Sequence, residues 1–182
     1  MKFFESDIKG AFVVELEKIE DHRGYFARTY CKNEFQEFGL VSNWVQMNQT
    51  LTKQKGTLRG LHYQREPKTE SKLIRCISGG VLDVIVDIRS ESETYGQHFS
   101  TKLTSDNQRM LYVPDGVAHG FQTIMNNTEL LYLHSEFYSP DHEGGILYSD
   151  PDLNILWPLP VSNISSRDQN HPKLKDIKPI DV

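Results

Sequence analysis

The stretch Lys72-Leu73-Ile74-Arg75-Cys76-Ile77, then Gly79-Gly80, then Val81-Leu82-Asp83-Val84-Ile85-Val86-Asp87-Ile88-Arg89 decides the fold class. It reads as a strand, a tight glycine turn and a second strand. The two-residue period of a strand puts Asp83 and Asp87 on one face and Val84, Val86 and Ile88 on the other. Downstream, His98 to Leu103, Arg109 to Val113, Gly120 to Ile124 and Glu129 to His134 continue as strands at a spacing of roughly ten residues. Upstream, Gly10 to Glu17 has β-former composition and ends at the turn residues Asp21-His22-Arg23-Gly24, and Trp44 to Asn48 reads as another strand. Lys32 to Leu40 is the one helix candidate, with Phe35 and Phe38 three apart and Gly39 as its stop. This rhythm favours a β-sandwich or jelly-roll barrel over an α/β fold.

From Ser139 the texture changes: Pro140, Pro151, Pro158, Pro160 and Pro172 interrupt a polar stretch. Residues 139–182 therefore read as an irregular C-terminal segment wrapping the barrel, frayed from about Lys175 to Val182. With no repeat and no linker, residues 1–182 form a single domain. A chain of 182 residues is long enough to bury a core without disulfides or structural metal. Its net charge of -5 argues against a general nucleic-acid binder, which needs a basic face to displace counterions. No run approaches a membrane span, and Met1-Lys2-Phe3-Phe4-Glu5-Ser6-Asp7 lacks the apolar stretch of a signal peptide. Cys31 and Cys76 are far apart in unlike contexts, which suits a reduced, cytoplasmic protein.

Polar groups with chemical potential concentrate in a few segments. Thr57-Leu58-Arg59-Gly60-Leu61-His62-Tyr63-Gln64 brings Arg59 and His62 into a strand, with Gly60 and His62 on one face by alternation. Val113-Pro114-Asp115-Gly116-Val117-Ala118-His119-Gly120-Phe121 is a Pro/Gly turn delivering His119 into the next strand. Lys72 opens a strand and Tyr132 lies within one. Taken singly, each has an ordinary structural reading: a hydrogen-bonded histidine, a solvated strand end, a core tyrosine, and a helix-capping aspartate for Asp168. In a barrel, inward-facing polar side chains must line a wet pocket or stay unsatisfied at a cost. The Pro-x-Gly-x-x-His turn has the form of the second motif of metal-binding cupins. Those proteins also supply a His-x-His pair and a carboxylate, whereas His62 is followed by Tyr63 and Gln64, so no metal is expected.

These segments together resemble the dTDP-4-dehydrorhamnose 3,5-epimerase family, cupin-type enzymes of nucleotide-sugar metabolism. The resemblance covers about the first 170 residues. It runs through Asp21-His22-Arg23-Gly24-Tyr25-Phe26, the Leu58-Arg59-Gly60-Leu61-His62 segment, Ser71 to Arg75, Val86 to Arg89, Ala118-His119-Gly120-Phe121, Tyr138-Ser139-Pro140 with Glu143, Trp157-Pro158 and Ser166-Arg167-Asp168. It implies an all-β, cupin-like double-stranded β-helix (jelly roll) with a few short helices. It implies epimerisation at the carbons flanking a 4-keto group, with His62 as base, Asp168 holding it, Tyr132 as acid on the opposite face and Lys72 steadying the C4 oxyanion. Arg23, Phe26, Gln46, Asn48, Arg59, His119, Tyr138, Glu143 and Arg167 match substrate contacts. No cofactor is implied, because the substrate's ketone is the electron sink. A nucleotide-sugar substrate and a homodimer whose N-terminal strand joins the partner's sheet are implied too.

The chain departs from the family pattern at several places. Arg28 stands where many members carry a glutamate that touches the substrate, Gln49-Thr50 where many have His-Ser, and Arg167 where a lysine is common. The stretch between Asn48 and Gly56 is one residue longer. A relative acting at C3 only, or on another nucleotide's 4-keto sugar, stays open. So do a sugar 3,4-ketoisomerase, a binding module without turnover and a metal-dependent cupin oxygenase.

Overall fold

Gly79-Gly80 is a corner and not a hairpin loop. The computed structural model describes residues 1–182, and in it β7 (Lys72–Ser78) and β8 (Gly80–Asp87) enter different sheets. The remaining strands are β1 (Lys2–Glu5), β2 (Phe12–Glu15), β3 (Lys18–Asp21), β4 (Gly24–Ala27), β5 (Gln46–Thr52), β6 (Leu58–Gln64), β9 (His98–Thr104), β10 (Met110–Val113), β11 (Val117–Thr123), β12 (Thr128–His134) and β13 (Glu143–Gly145). Two short α-helices, α1 (Lys32–Glu37) and α2 (Ser166–Gln169), complete the fold. One sheet runs β1-β2-β10-β7-β12-β5 and the other β13-β6-β11-β8-β9, while β3 and β4 form a separate hairpin. Every named strand pair is antiparallel. The result is a jelly roll, as the sequence rhythm predicts.

Alternation explains its layers. Ile74 and Cys76 of β7, Leu111 and Val113 of β10 and Leu130 of β12 meet Val81 and Ile85 of β8, Leu103 of β9 and Phe121 of β11 in a core between the sheets. The opposite faces are covered too. Phe35 of α1 and Leu40 pack on Phe12, Val14, Leu73 and Tyr112 behind the six-stranded sheet. Val84, Val86 and Ile88 turn outward from the five-stranded sheet, where the C-terminal segment covers them with Ile146, Leu153, Leu174, Ile177 and Ile180. Asp83 and Asp87 share the inner face of β8 and are both fully buried.

One expectation is corrected. The chain end is docked and not frayed: Ile180 N–H donates to Ile88 O, Ser90 N–H donates to Ile180 O, and Arg89 and Ile180 form a parallel bridge. The apolar residues spaced three apart, Leu174, Ile177 and Ile180, hold it, each gaining on the order of 1.5–3 kcal/mol by leaving water. At the other end β1 pairs with β2 of its own chain from Lys2↔Glu15 to Glu5↔Phe12 and lies at the edge of the six-stranded sheet with its outer edge free.

Candidate active site

Arg59 and His62 are three apart on β6, so simple alternation would put them on opposite faces of the sheet. The register shifts between them: His62 pairs with His119 and Arg59 with Phe121, leaving two residues of β6, Gly60 and Leu61, against one of β11, Gly120. Such a bulge turns both side chains to the barrel interior. Gly60 makes it possible. Its φ is +117°, and a Cβ there would lie 2.5 Å from Gly120 Cα and 2.8 Å from His119 O. The expected alternation of Gly60 with His62 is therefore overridden by the close approach of two backbones.

The barrel holds a cavity of about 750 Å³ between the sheets, lined by both. From the five-stranded sheet come Arg59, His62, His119 and Phe121; from the six-stranded sheet come Asn48, Thr50, Lys72, Tyr132 and His134. Tyr138, Glu143, Arg167 and Asp168 of the C-terminal segment close one end.

His62 Nε2 lies 2.9 Å from Asp168 Oδ1. Asp168 sits on α2, where Ser165 caps the helix by accepting the Asp168 N–H. Its second oxygen accepts the Gly60 N–H at 3.2 Å. Burial on its own would raise this carboxyl, but the His62 contact and the backbone donor outweigh it and hold the pKa at about 2. An ionised carboxylate can only accept. The ring proton therefore belongs on Nε2, and Nδ1 is the basic nitrogen of His62.

Tyr132 faces the cavity from the opposite sheet, between its cross-strand partners Asn48 and Ile74. Burial, reinforced by the charge of Asp83, pushes its phenol far above the ordinary tyrosine value, so it stays protonated and available as an acid. Its hydroxyl is 3.5 Å from Thr50 Oγ1, and its ring centroid is 6.2 Å from those of His119 and His134. His119 is held in turn by Asp83, with Nε2 2.9 Å from Oδ1. Lys72 is buried, its ammonium 3.2 Å from Glu70. At the mouth, Tyr138 Oη donates to Glu143 Oε2 at 3.0 Å and Arg167 Nη1 donates to the same oxygen at 2.7 Å.

Three expected contacts do not reach this cavity. Gln46 stands outside it and accepts the Tyr138 N–H. Arg23 and Phe26 lie on the β3–β4 hairpin, 78% and 70% exposed, and Arg23 spends its guanidinium on Asp21 of its own turn. Arg28 is also elsewhere, paired with Glu34 at 2.7 Å, and Gln49 points away to Glu129. Residues 48–52 of the supposed longer loop belong to β5, which puts Thr50 beside Tyr132. Sequence reasoning missed Thr50, Glu70, His134 and Asp83. Strand alternation carries a signal for two of them, since His134 follows Tyr132 by two and Thr50 follows Asn48 by two.

His171 adds a third potential ligand within 4.8 Å of His62 and Asp168. Arg167 already brings a cation there, with Nη2 3.4 Å from His62 Nε2 and Nε 3.7 Å from Asp168. A metal ion would have to displace that guanidinium.

A jelly-roll barrel with an imidazole–carboxylate pair on one wall, and a protonated phenol and a buried ammonium on the facing wall, defines an isomerase of the cupin type. A profile of the dTDP-4-dehydrorhamnose 3,5-epimerase family matches residues 5–176, and the chain belongs to that family. A dTDP-4-dehydrorhamnose 3,5-epimerase from Methanothermobacter thermautotrophicus is 39% identical over 178 residues, covering 96% of this chain and 95% of that protein. The structure of a dTDP-6-deoxy-D-glucose-3,5-epimerase from Legionella pneumophila in complex with dTDP-4-keto-L-rhamnose aligns over 100% of this chain and 98% of its own, with TM-score 0.92 and 33% identity. A 3'-monoepimerase from Streptomyces bikiniensis in complex with dTDP-quinovose aligns over 93% and 86%, with TM-score 0.86 and 32% identity.

Proposed function

We propose that the protein inverts C3 and C5 of a dTDP-linked 4-keto-6-deoxy sugar, converting dTDP-4-dehydro-6-deoxyglucose to dTDP-4-dehydrorhamnose. His62 Nδ1 takes the proton from C3, whose acidity comes from the neighbouring ketone. The electron pair moves onto the C4 oxygen, where the Lys72 ammonium steadies the enolate. Tyr132 then gives its proton to C3 from the other side; His62 releases its proton to solvent and the Tyr132 phenolate takes one back, which resets the pair for the same cycle at C5. Asp168 fixes the His62 tautomer and offsets the imidazolium that forms. Arg59, Arg167, His119, Asn48, Tyr138 and Glu143 hold the nucleotide and the sugar. No external electron acceptor is needed, because the ketone takes and returns the electron pair. The observation that supports this reading is one cavity lined by His62, paired with Asp168, on one sheet and by Tyr132 on the facing sheet, a geometry that pure binding would not require.

The working form is a homodimer in this reading. Ile19 and Phe26 are cross-strand partners on the β3–β4 hairpin, both largely exposed with nothing of their own chain over them. We assign the crossing region to the N-terminal part of the chain: β1 keeps a free outer edge open to a partner's strand, and the hairpin would carry Arg23 and Phe26 to the partner's cavity. Free Cys31 and Cys76 fit a reducing, cytoplasmic setting, and no helix is long and apolar enough to cross a membrane.

The test is NMR of dTDP-4-keto-6-deoxyglucose incubated with the protein in deuterated buffer. Deuterium at C3 and C5 with inverted product supports the double epimerase. Deuterium at C3 alone makes it a single-centre enzyme. A 3-keto product would make it a ketoisomerase, and no exchange would overturn the reading for this substrate.

A further inference from the structure

We propose that Glu70 is a positioning residue for the acid side of the pocket, holding Lys72 and His134 at once and, through His134, orienting the amide of Asn48. The inference rests on the epimerase reading above only for the role of Lys72. Glu70 and His134 both line the cavity, yet neither takes part in the proton transfers.

Glu70 is buried, its side chain 8% exposed, and uses both carboxylate oxygens. Oε1 is 3.2 Å from Lys72 Nζ and Oε2 is 2.7 Å from His134 Nδ1. The two partners it grips are themselves neighbours, since Lys72 and His134 are directly opposed across β7 and β12. Burial would raise the Glu70 carboxyl, but Lys72 and His134 outweigh it and hold it below the ordinary range, so it is ionised at neutral pH. A carboxylate on Nδ1 fixes the proton there and makes Nε2 the acceptor. That nitrogen lies 3.4 Å from Asn48 Nδ2, so the Asn48 amide donates to it and turns its carbonyl oxygen the other way. Lys72 has the complementary need. A buried ammonium is costly without a paired anion, and Glu70 is its salt-bridge partner.

The assignment separates this residue from a merely structural ion pair. Glu70→Gln in the full-length protein keeps the shape and removes the charge. With dTDP-4-keto-6-deoxyglucose, kcat is expected to fall about ten- to hundredfold, in line with loss of a charged hydrogen bond, with a smaller change in KM. Glu70→Asp should recover part of that loss. Independently of activity, nitrogen-15 NMR of the histidine rings should find His134 with its proton on Nδ1 in the unaltered protein and redistributed in Glu70→Gln. If kcat stays within about twofold and the His134 tautomer is unchanged, the proposal is wrong. Should Glu70→Gln fail to fold, Glu70→Asp carries both comparisons. If the unaltered protein washes no deuterium into C3, the epimerase reading falls, and the His134 tautomer alone decides the Glu70 assignment.

Discussion

Asp168 and His62 meet at 2.9 Å although 106 residues separate them in the chain. The carboxylate also takes a backbone donor from Gly60, two residues before His62. One acid therefore fixes both the ring and the bend in the strand that aims it. Replacing Asp168 with Asn keeps the size and reverses part of the donor pattern, so His62 loses its fixed tautomer. We expect kcat to drop about 10²–10³-fold with the fold retained. Steady-state kinetics and deuterium wash-in at C3 check this, and normal exchange would remove Asp168 from the catalytic unit.

Tyr132→Phe separates the two halves of the reaction. Deprotonation by His62 should persist, and deuterium should still enter C3. Reprotonation from the far wall should fail, so inverted product should be missing from the NMR spectrum. Normal epimerisation by this variant would assign the acid to another group.

Acid stability follows from three buried carboxylates. Burial alone would raise Asp168, Glu70 and Asp87, but their donors hold all three below the ordinary range; for Asp87 these are Arg89, Ser92 and Thr94. A group depressed in the folded state contributes stability above its unfolded value of about 4 and loses it as pH falls through the folded value. Thermal stability should therefore fall, with a lower melting temperature, as pH drops from about 4 towards the Asp168 value of about 2. Asp87→Asn should be less stable at pH 7 and show a shallower decline, measured by melting temperature against pH.

Gly60→Ala tests the bulge. The new Cβ would face Gly120 Cα at 2.5 Å, backbone that cannot swing aside, at a φ that side chains rarely adopt. We expect a loss of about 2–4 kcal/mol from clash and strain together. Chemical denaturation would measure it, and a near-neutral result would mean the two strands can part without cost.

The β3–β4 hairpin makes the dimer testable. Ile19→Ser with Phe26→Ser should shift the protein towards monomer in analytical ultracentrifugation and lower activity in parallel. Unchanged mass and activity would free the hairpin from both roles.

The strands were legible because β12 alternates between buried and half-buried residues and β8 is a run of β-formers buried on both faces, and the jelly roll followed from their spacing. The sheet to which each strand belongs was not, since Gly79-Gly80 looks the same whether it folds a strand back or turns a corner. The docked end was missed because Leu174, Ile177 and Ile180 lie among charges, and their burial depends on the outer face of β8. His62, Tyr132, Lys72 and Asp168 were named through the family resemblance; alone, none has a spacing that points to a cavity. Glu70 was hidden for a different reason. It precedes its strand, and its worth comes from two partners on neighbouring strands that no local pattern connects.

The tail that ends at Val182 is more than a cover. It delivers Asp168 to His62 only after it has crossed the five-stranded sheet and seated Ile146 and Leu153 on it. One segment thus serves two ends: the residues that bury the outer face of β8 also anchor the carboxylate that orients His62, so packing and chemistry stand or fall together.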